Sequence, residues 1–277
     1  MIDFHIIIVI YNQLINDSPV VNCFIQNTKR IKEIFIVDNS TLDNIKINNK
    51  EFCEDNNLCY VDMNGNYGLA KAYNNAIKLI DKSENNWIIL LDQDTNIPEN
   101  FIVYYENAIK NNPAKNVFCP IIKDSIGIMS PALIKGKKWI HSISSDFNND
   151  LSSYSFINSC MCVQSQVFER INYNEDLFLD CVDHDFVAEI KKNYGANSFY
   201  VIGEMEVYQN FSGSSVNSLQ SDLTRFKIYK KDLQVYSKKW FGSLKTADKI
   251  LFFRAVKLCL CHKNFCFLKA LVGKKND

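Results

Sequence analysis

The chain has 277 residues, room for one large domain or one domain with a substantial appendage, and its 31 basic side chains balance 31 acidic ones. Hydrophobic residues make up 47% and charged ones 22%, with nine Gly and five Pro, which excludes a disordered chain and a Gly/Ser-rich or Pro-rich linker. The ten cysteines form no Cys-x-x-Cys pair, there is no run of 18 apolar residues, and Met1–His5 lacks a basic-then-apolar leader; a zinc ribbon and a membrane span are excluded, and free thiols in a reducing cytoplasm are expected.

Residues 4–10, Phe-His-Ile-Ile-Ile-Val-Ile, are apolar apart from His5, the pattern of a strand buried on both faces, with His5 as a core histidine. Tyr11-Asn12 follow. Ser18-Pro19 opens a helix over 20–27. Residues 33–37 are a second buried strand ending at Asp38-Asn39-Ser40, and 58–61 a short third one. Asn66 to Asn74 supplies Gly68 for a tight turn and leads into a helix over 70–80. Residues 87–91, Trp-Ile-Ile-Leu-Leu, form a fourth buried strand ending at Asp92-Gln93-Asp94. This alternation predicts an α/β fold with a mostly parallel sheet flanked by helices. In such sheets ligands lie off the carboxyl ends of the strands, where all three polar clusters fall.

Further on, 117–122 and 156–163 read as strands, 126–140 as a mobile loop over the site, 186–192 as a helix and 199–202 as a strand. Beyond Ser221 the pattern is mainly helical. From Arg225 onward there are fourteen Lys/Arg against three Asp, whereas the first 224 residues are acidic by the same margin. A basic arm carrying Trp240, Phe241, Leu251, Phe252, Phe253 and Val256 suits an anionic membrane surface better than nucleic acid. A helix packed on the acidic body, with its lysines solvated, explains the same charges equally well.

Two carboxylates one residue apart at a strand end, Asp92 and Asp94, can face one ion, and oxygen ligands suit Mg²⁺ or Mn²⁺. Asp38 has two readings, acceptor for a pyrimidine N–H or Asx-turn. A second acidic cluster, Asp180-Cys181-Val182-Asp183-His184-Asp185, precedes a helix and reads as a general base or as acids at a positive helix end. No Gly-x-Ser-x-Gly, Walker loop or Gly-x-Gly-x-x-Gly is present, which argues against a serine hydrolase, a nucleotide hydrolase and a dehydrogenase.

Taken together and in order, Ile8-Val9-Ile10-Tyr11-Asn12, Ile36-Val37-Asp38-Asn39-Ser40, Asn66 to Asn74, Leu90-Leu91-Asp92-Gln93-Asp94 and Phe178 to Asp185 resemble glycosyltransferase family 2, with the GT-A fold. The resemblance spans roughly residues 4–215. It implies an inverting transferase with a domain over 1–220 and a basic helical extension over 221–277. It places Asp38 at the nucleotide base with Tyr11 and Asn12, and makes Asn66, Gly68 and Asn74 shape the nucleotide-sugar site. Asp92 and Asp94 become metal ligands, and Asp183 or Asp185 the base. Val182 stands where a Glu is common in the family, and Asn210 where many relatives carry a metal-ligating His. Asp-Gln-Asp and its flanks look most like rhamnosyltransferases of bacterial surface polysaccharides, which implies dTDP-rhamnose as donor, with a UDP-hexose as the alternative. The implied acceptor is a lipid-linked glycan at the inner face of the cell membrane, with the enzyme cytoplasmic and peripheral. A nucleotidyltransferase and a non-catalytic glycan-binding protein are competing readings; the first lacks a Gly-rich basic loop after the first strand.

Overall fold

The computed structural model describes residues 2–26, 30–136, 138–142, 150–209 and 218–272. At its centre lies β1 (Asp3–Ile10), whose Phe4, Ile6, Ile7 and Ile8 are fully buried. Burying each such side chain contributes about 1.5–3 kcal/mol, and β-branched residues suit a pleated strand packed on both faces. β2 (Ile31–Asp38) and β4 (Asn86–Asp92) flank β1 in parallel, and β3 (Cys59–Asp62) runs parallel to β2. Right-handed crossovers require helices between parallel strands. These are α1 (Pro19–Gln26), α2 (Asp43–Asp55) and α3 (Leu69–Ile77), and α4 (Phe101–Asn111) follows β4.

The second half makes the sheet mixed. β5 (Val117–Lys123), β6 (Ile128–Lys135), β7 (Lys138–Ser142), β8 (Tyr154–Ser155), β9 (Met161–Gln164) and β10 (Phe199–Tyr208) complete the order β3-β2-β1-β4-β9-β5-β6-β7, with β10 on β5 and β8 on β6. β9 runs antiparallel between β4 and β5, while β10 is parallel to β5. Helix α5 (Val182–Tyr194) precedes β10.

Several local expectations are corrected. Residues 126–140 are not a mobile loop: β6 and β7 form a hairpin about Gly136, whose φ of 64° suits glycine. The strand expected over 156–163 is confined to β9, because Asn158 to Cys160 make a turn in which Cys160 has φ 60°. β10 runs on to Tyr208 past a register shift between Ile202 and Glu206. Helix α2 is not foreshadowed by the sequence pattern; only Asn49 and Cys53 are buried on it, so it carries no apolar stripe. α4 does carry one, Phe101, Tyr105, Ala108 and Ile109, a helical signal that the expectations above omit.

The chain divides into two compact units, one of Met1–Asn174 with Asp183–Asn210, the other of Glu175–Val182 with Phe211–Asp277. The second holds α6 (Leu219–Phe241), α7 (Lys245–His262) and α8 (Cys266–Val272). Ser218 caps α6 by accepting from Ser221 N, and Gly242 ends it in the left-handed conformation. Phe226, Leu233, Leu251, Ala255 and Phe267 form its core, with Phe226 and Phe267 edge to face at 5.8 Å. The buried Asp232 carboxylate accepts the N–H groups of Phe178 (3.0 Å), Leu179 (2.8 Å) and Asp180 (2.8 Å), and Asp180 pairs with Arg225 through two bonds.

Candidate active site

The polar clusters converge because the strands are in register. Ile10 lies beside Asp38 and Val9 beside Asp92, so the ends of β1, β2 and β4 reach one edge of the sheet. β1 is the switch point: the chain leaves it toward β2 on one side and returns as β4 on the other, and in open α/β sheets ligands lie in the crevice at the carboxyl ends of such a point.

Cross-links among the clusters fix this edge. The Tyr11 N–H donates to Gln93 Oε1 (2.8 Å) and the Asn12 N–H to Ser40 Oγ (2.8 Å). Asn12 adopts φ 48°, tolerable for Asn, and its Oδ1 accepts from Thr41 N–H (2.9 Å). Asn39 Nδ2 donates to the Gly68 carbonyl (3.2 Å), tying β2 to the loop ahead of α3. Gly68, at φ 86°, starts that helix, and its N–H donates to Asn66 Oδ1 (3.1 Å). Tyr11 and Tyr67 are 47% and 51% exposed, two aromatic faces bordering the crevice loops.

Asp38 is fully buried. Its Oδ1 accepts the Ser40 N–H (2.8 Å), the Asx-turn, and its Oδ2 accepts both Asn49 Nδ2 (3.0 Å) and the Tyr60 hydroxyl (3.0 Å). Asn49 also donates to the Gln13 carbonyl and accepts the Ile15 N–H, so this one α2 side chain joins β2 to the loop after β1. Burial and the adjacent Asp38 charge push the Tyr60 phenol well above its usual range.

At the end of β4, Asp92 is partly buried and Asp94 exposed. Burial raises the Asp92 carboxyl, hydrogen bonds from Gln209 and Ser159 oppose this, and the negative charges of Asp94 and Asp183 add to the rise. Gln209 Nε2 donates to Asp92 Oδ2 at 3.1 Å across 117 residues of sequence. The charge of Asp183, 91 residues further along the chain, reaches Asp92, and both also act on the buried Tyr73 phenol. Asp183 sits in the first turn of α5 and keeps 23% of its side chain exposed, whereas Asp185 is 2% exposed. His184, a surface or supporting residue on the sequence reading, meets Ser155 Oγ at 2.7 Å through Nδ1.

Of the sequence candidates, Asp94 and Asp183 act on Asp92 through their charges, and Tyr11, Asn12, Asn66 and Gly68 lie in loops cross-linked at the ends of β1, β2 and β4. Asn74 is buried, with Nδ2 on the Tyr173 carbonyl and Oδ1 on the Tyr173 N–H, both 3.0 Å; it braces α3 against the segment before α5. Asp180 is drawn off to Arg225. Asn210 lies outside the described residues. Sequence reasoning misses Gln209, Ser159, Gln93 and Tyr73. Gln93 is legible as the middle of Asp-x-Asp, but nothing local marks Gln209 or Ser159 as partners of Asp92.

The charges of Asp94 and Asp183 act on an Asp92 carboxyl already raised by burial, an excess of negative charge that a hard divalent cation on carboxylate oxygen would offset. Among the described residues no three His, Cys, Asp or Glu side chains are grouped so as to hold a metal ion, so any such ion would rest on few protein oxygens.

A switch-point crevice with an Asp-x-Asp at its edge, under a mixed α/β sheet, defines a glycosyltransferase of the GT-A kind. The model of the family described as Glycosyl transferase family 2 matches residues 5–171, and the chain belongs to that family. No curated protein matches the sequence. Solved structures share the fold at low identity. TarS 1–349 of S. aureus in complex with UDP is 16% identical, with 90% of this chain and 70% of that chain covered and a TM-score of 0.56. GalNAc-T7 with UDP, GalNAc and Mn²⁺ is 13% identical, with 97% and 56% covered and a TM-score of 0.61. Glucosyl-3-phosphoglycerate synthase of Mycobacterium tuberculosis with Mn²⁺, UDP and glucosyl-3-phosphoglycerate is 9% identical, with 84% and 77% covered and a TM-score of 0.55. The chain therefore spans little more than half of GalNAc-T7.

Proposed function

We propose that this glycosyltransferase moves a sugar, with inversion, from a nucleotide-sugar donor to a hydroxyl of a lipid-linked glycan. The observation that carries the reading is that the charges of Asp94 and Asp183 both reach Asp92 at the carboxyl end of β4. Asp183 is the base: its carboxylate takes the acceptor hydroxyl's proton as that oxygen bonds to the anomeric carbon and the sugar–phosphate bond breaks, its electron pair leaving on the diphosphate. The exposure of Asp183 and the burial of Asp185 favour this choice. Asp92 and Asp94 would hold Mg²⁺ or Mn²⁺, Asp94 more directly. When bound, such an ion supplies positive charge beside the leaving diphosphate. Tyr11 and Asn12 line the base pocket, and Asn66 and Gly68 shape the sugar-phosphate side. Asp38 and Asn74, with their polar atoms engaged inside the protein, hold these loops in place from beneath.

The donor we favour is dTDP-rhamnose, from the pattern around Asp-Gln-Asp. A UDP-sugar is the second reading, supported by the UDP bound in the fold relatives. Residues 1–220 would carry the transfer and 221–277 would serve the membrane side, where a lipid-linked acceptor of bacterial surface polysaccharide is found. Among the described residues no helix is long and apolar enough to cross a membrane, so the arm would act peripherally.

The test is a panel of nucleotide sugars with Mg²⁺ or Mn²⁺, scored for donor consumed and nucleoside diphosphate released. Asp183→Asn is expected to lose transfer by about 10²–10⁴-fold with its melting temperature kept. Full activity in that variant, or release of pyrophosphate instead, overturns the reading.

A further inference from the structure

We propose that the outward face of α7 is a docking surface for an anionic lipid bilayer, entered by Phe252, Phe253 and Leu260. This narrows the membrane-side reading to one helix face and stands independently of which sugar is moved. α7 buries Ala247, Leu251, Ala255 and Cys259, a stripe at four-residue spacing that packs into its own helical unit. At about 100° per residue the opposite side carries Lys249, Phe253, Val256, Lys257 and Leu260, with Lys245 and Phe252 on its flank and the Phe252 ring 5.9 Å from that of Phe253. There Phe252, Phe253 and Leu260 are 51%, 71% and 74% exposed, and all three lysines are exposed. The helix's one acid, Asp248, is exposed one turn before Phe252 on the flank and lies on the other side from Phe253, Lys257 and Leu260.

Large aromatic and aliphatic side chains left in water beside lysines are the pattern of an interfacial helix, in which rings enter the acyl boundary while ammonium groups remain among headgroup phosphates. The helix does not meet the requirements of a span. Charge chooses the occupant. A second copy seated face to face on the same helix would set Lys245, Lys249 and Lys257 against their own kind, whereas anionic headgroups complement all three. A bare phosphate or acidic peptide would satisfy the lysines and leave the rings uncovered. The exposed Phe265 and Val272, just beyond α7 and at the end of α8, add apolar surface to the same unit.

The experiment is co-flotation of the full chain, without nucleotide sugar, on vesicles of phosphatidylglycerol and phosphatidylcholine, on pure phosphatidylcholine vesicles, and at low and high salt. The proposal expects flotation on the anionic vesicles, weakened by salt, and an at least about tenfold loss of partitioning in the Phe252→Ser/Phe253→Ser double variant. Phe253→Trp supplies a second readout: the fluorescence of the introduced indole should shift to the blue and be quenched by brominated lipid when anionic vesicles are added. No flotation on anionic vesicles, unchanged flotation of the double variant, or indole emission in the Phe253→Trp protein that is indifferent to vesicles overturns the proposal. So does light scattering that shows a dimer abolished by the same double variant. Because no donor is present, these results are separate from the outcome of the sugar-transfer assay.

Discussion

The Asp38 knot allows a quantitative test of how the crevice loops are held. In wild type one buried carboxylate oxygen, Asp38 Oδ2, accepts from both Tyr60 OH and Asn49 Nδ2, each at 3.0 Å. Tyr60→Phe removes a single charge-assisted donor and leaves the ring in place. Such bonds are worth about 1.5–3 kcal/mol, so the loss should be about 2 kcal/mol, or roughly 4–8 °C in Tm at 2–4 °C per kcal/mol. In an Asp38→Asn background the one remaining oxygen is neutral; turned toward Tyr60 and Asn49 it leaves the Ser40 N–H facing the amide NH2, and the same Tyr60 change should then cost only about 1 kcal/mol, a coupling of about 1 kcal/mol between the two sites. Urea unfolding of the four proteins measures the cycle, and donor titration measures nucleotide affinity in parallel. Affinity should fall with Tyr60→Phe, because the loops after β1 and β2 are braced through the same oxygen. Additive losses, or a Tyr60→Phe protein as stable as wild type, would show that Asp38 is not held as described.

Other outcomes follow from the same geometry. Asp92→Asn keeps an oxygen for Gln209 but removes a charge that burial, Asp94 and Asp183 all disfavour, so the metal-free variant should melt higher by about 1 kcal/mol, or roughly 2–4 °C, and lose at least about a hundredfold in activity. A carboxyl raised in the folded state stabilises when protonated, and this stability is lost as pH rises through its folded value; the Tm gap between wild type and variant should therefore close on acidification, as differential scanning calorimetry would record. Lys191 donates to the carbonyls of Leu151 (2.5 Å), Ser152 (3.2 Å) and Tyr154 and lies over the rings of Phe156 and Phe199; burial pulls its ammonium down to about 8. Between about pH 8 and 10.5 the unfolded chain binds the extra proton, so wild-type stability should rise with pH relative to Lys191→Met, measured by urea unfolding at stepped pH. In the helical unit, Asp232→Ala strands the N–H groups of Phe178, Leu179 and Asp180 and should cost about 3–4 kcal/mol, with faster amide hydrogen exchange at those three residues.

The first hundred residues were legible because their strands are buried on both faces. Continuous Ile, Val and Leu runs cannot belong to a half-exposed element, and each run stops at a polar cluster where the sheet meets solvent. The sequence alone therefore determined the strand-and-helix alternation, the carboxyl-edge position of Asp38, Asp92 and Asp94, and the family. Tertiary structure decided the rest, since those facts depend on residues distant in sequence sharing space. Gln209 reaches Asp92 only because β10 pairs with β5 up to its end, where the Gln209 N–H still donates to the Lys123 carbonyl (3.0 Å), and no local pattern carries a partnership 117 residues long. α2 was invisible because only Asn49 and Cys53 are buried on it, and the value of Asn49 lies in three hydrogen bonds to segments elsewhere and not in hydrophobic periodicity. Asp183 and Asp185 are identical in type and two residues apart, so their sequence cannot separate them; only the fold of α5 leaves the Asp183 side chain 23% exposed and Asp185 2% exposed.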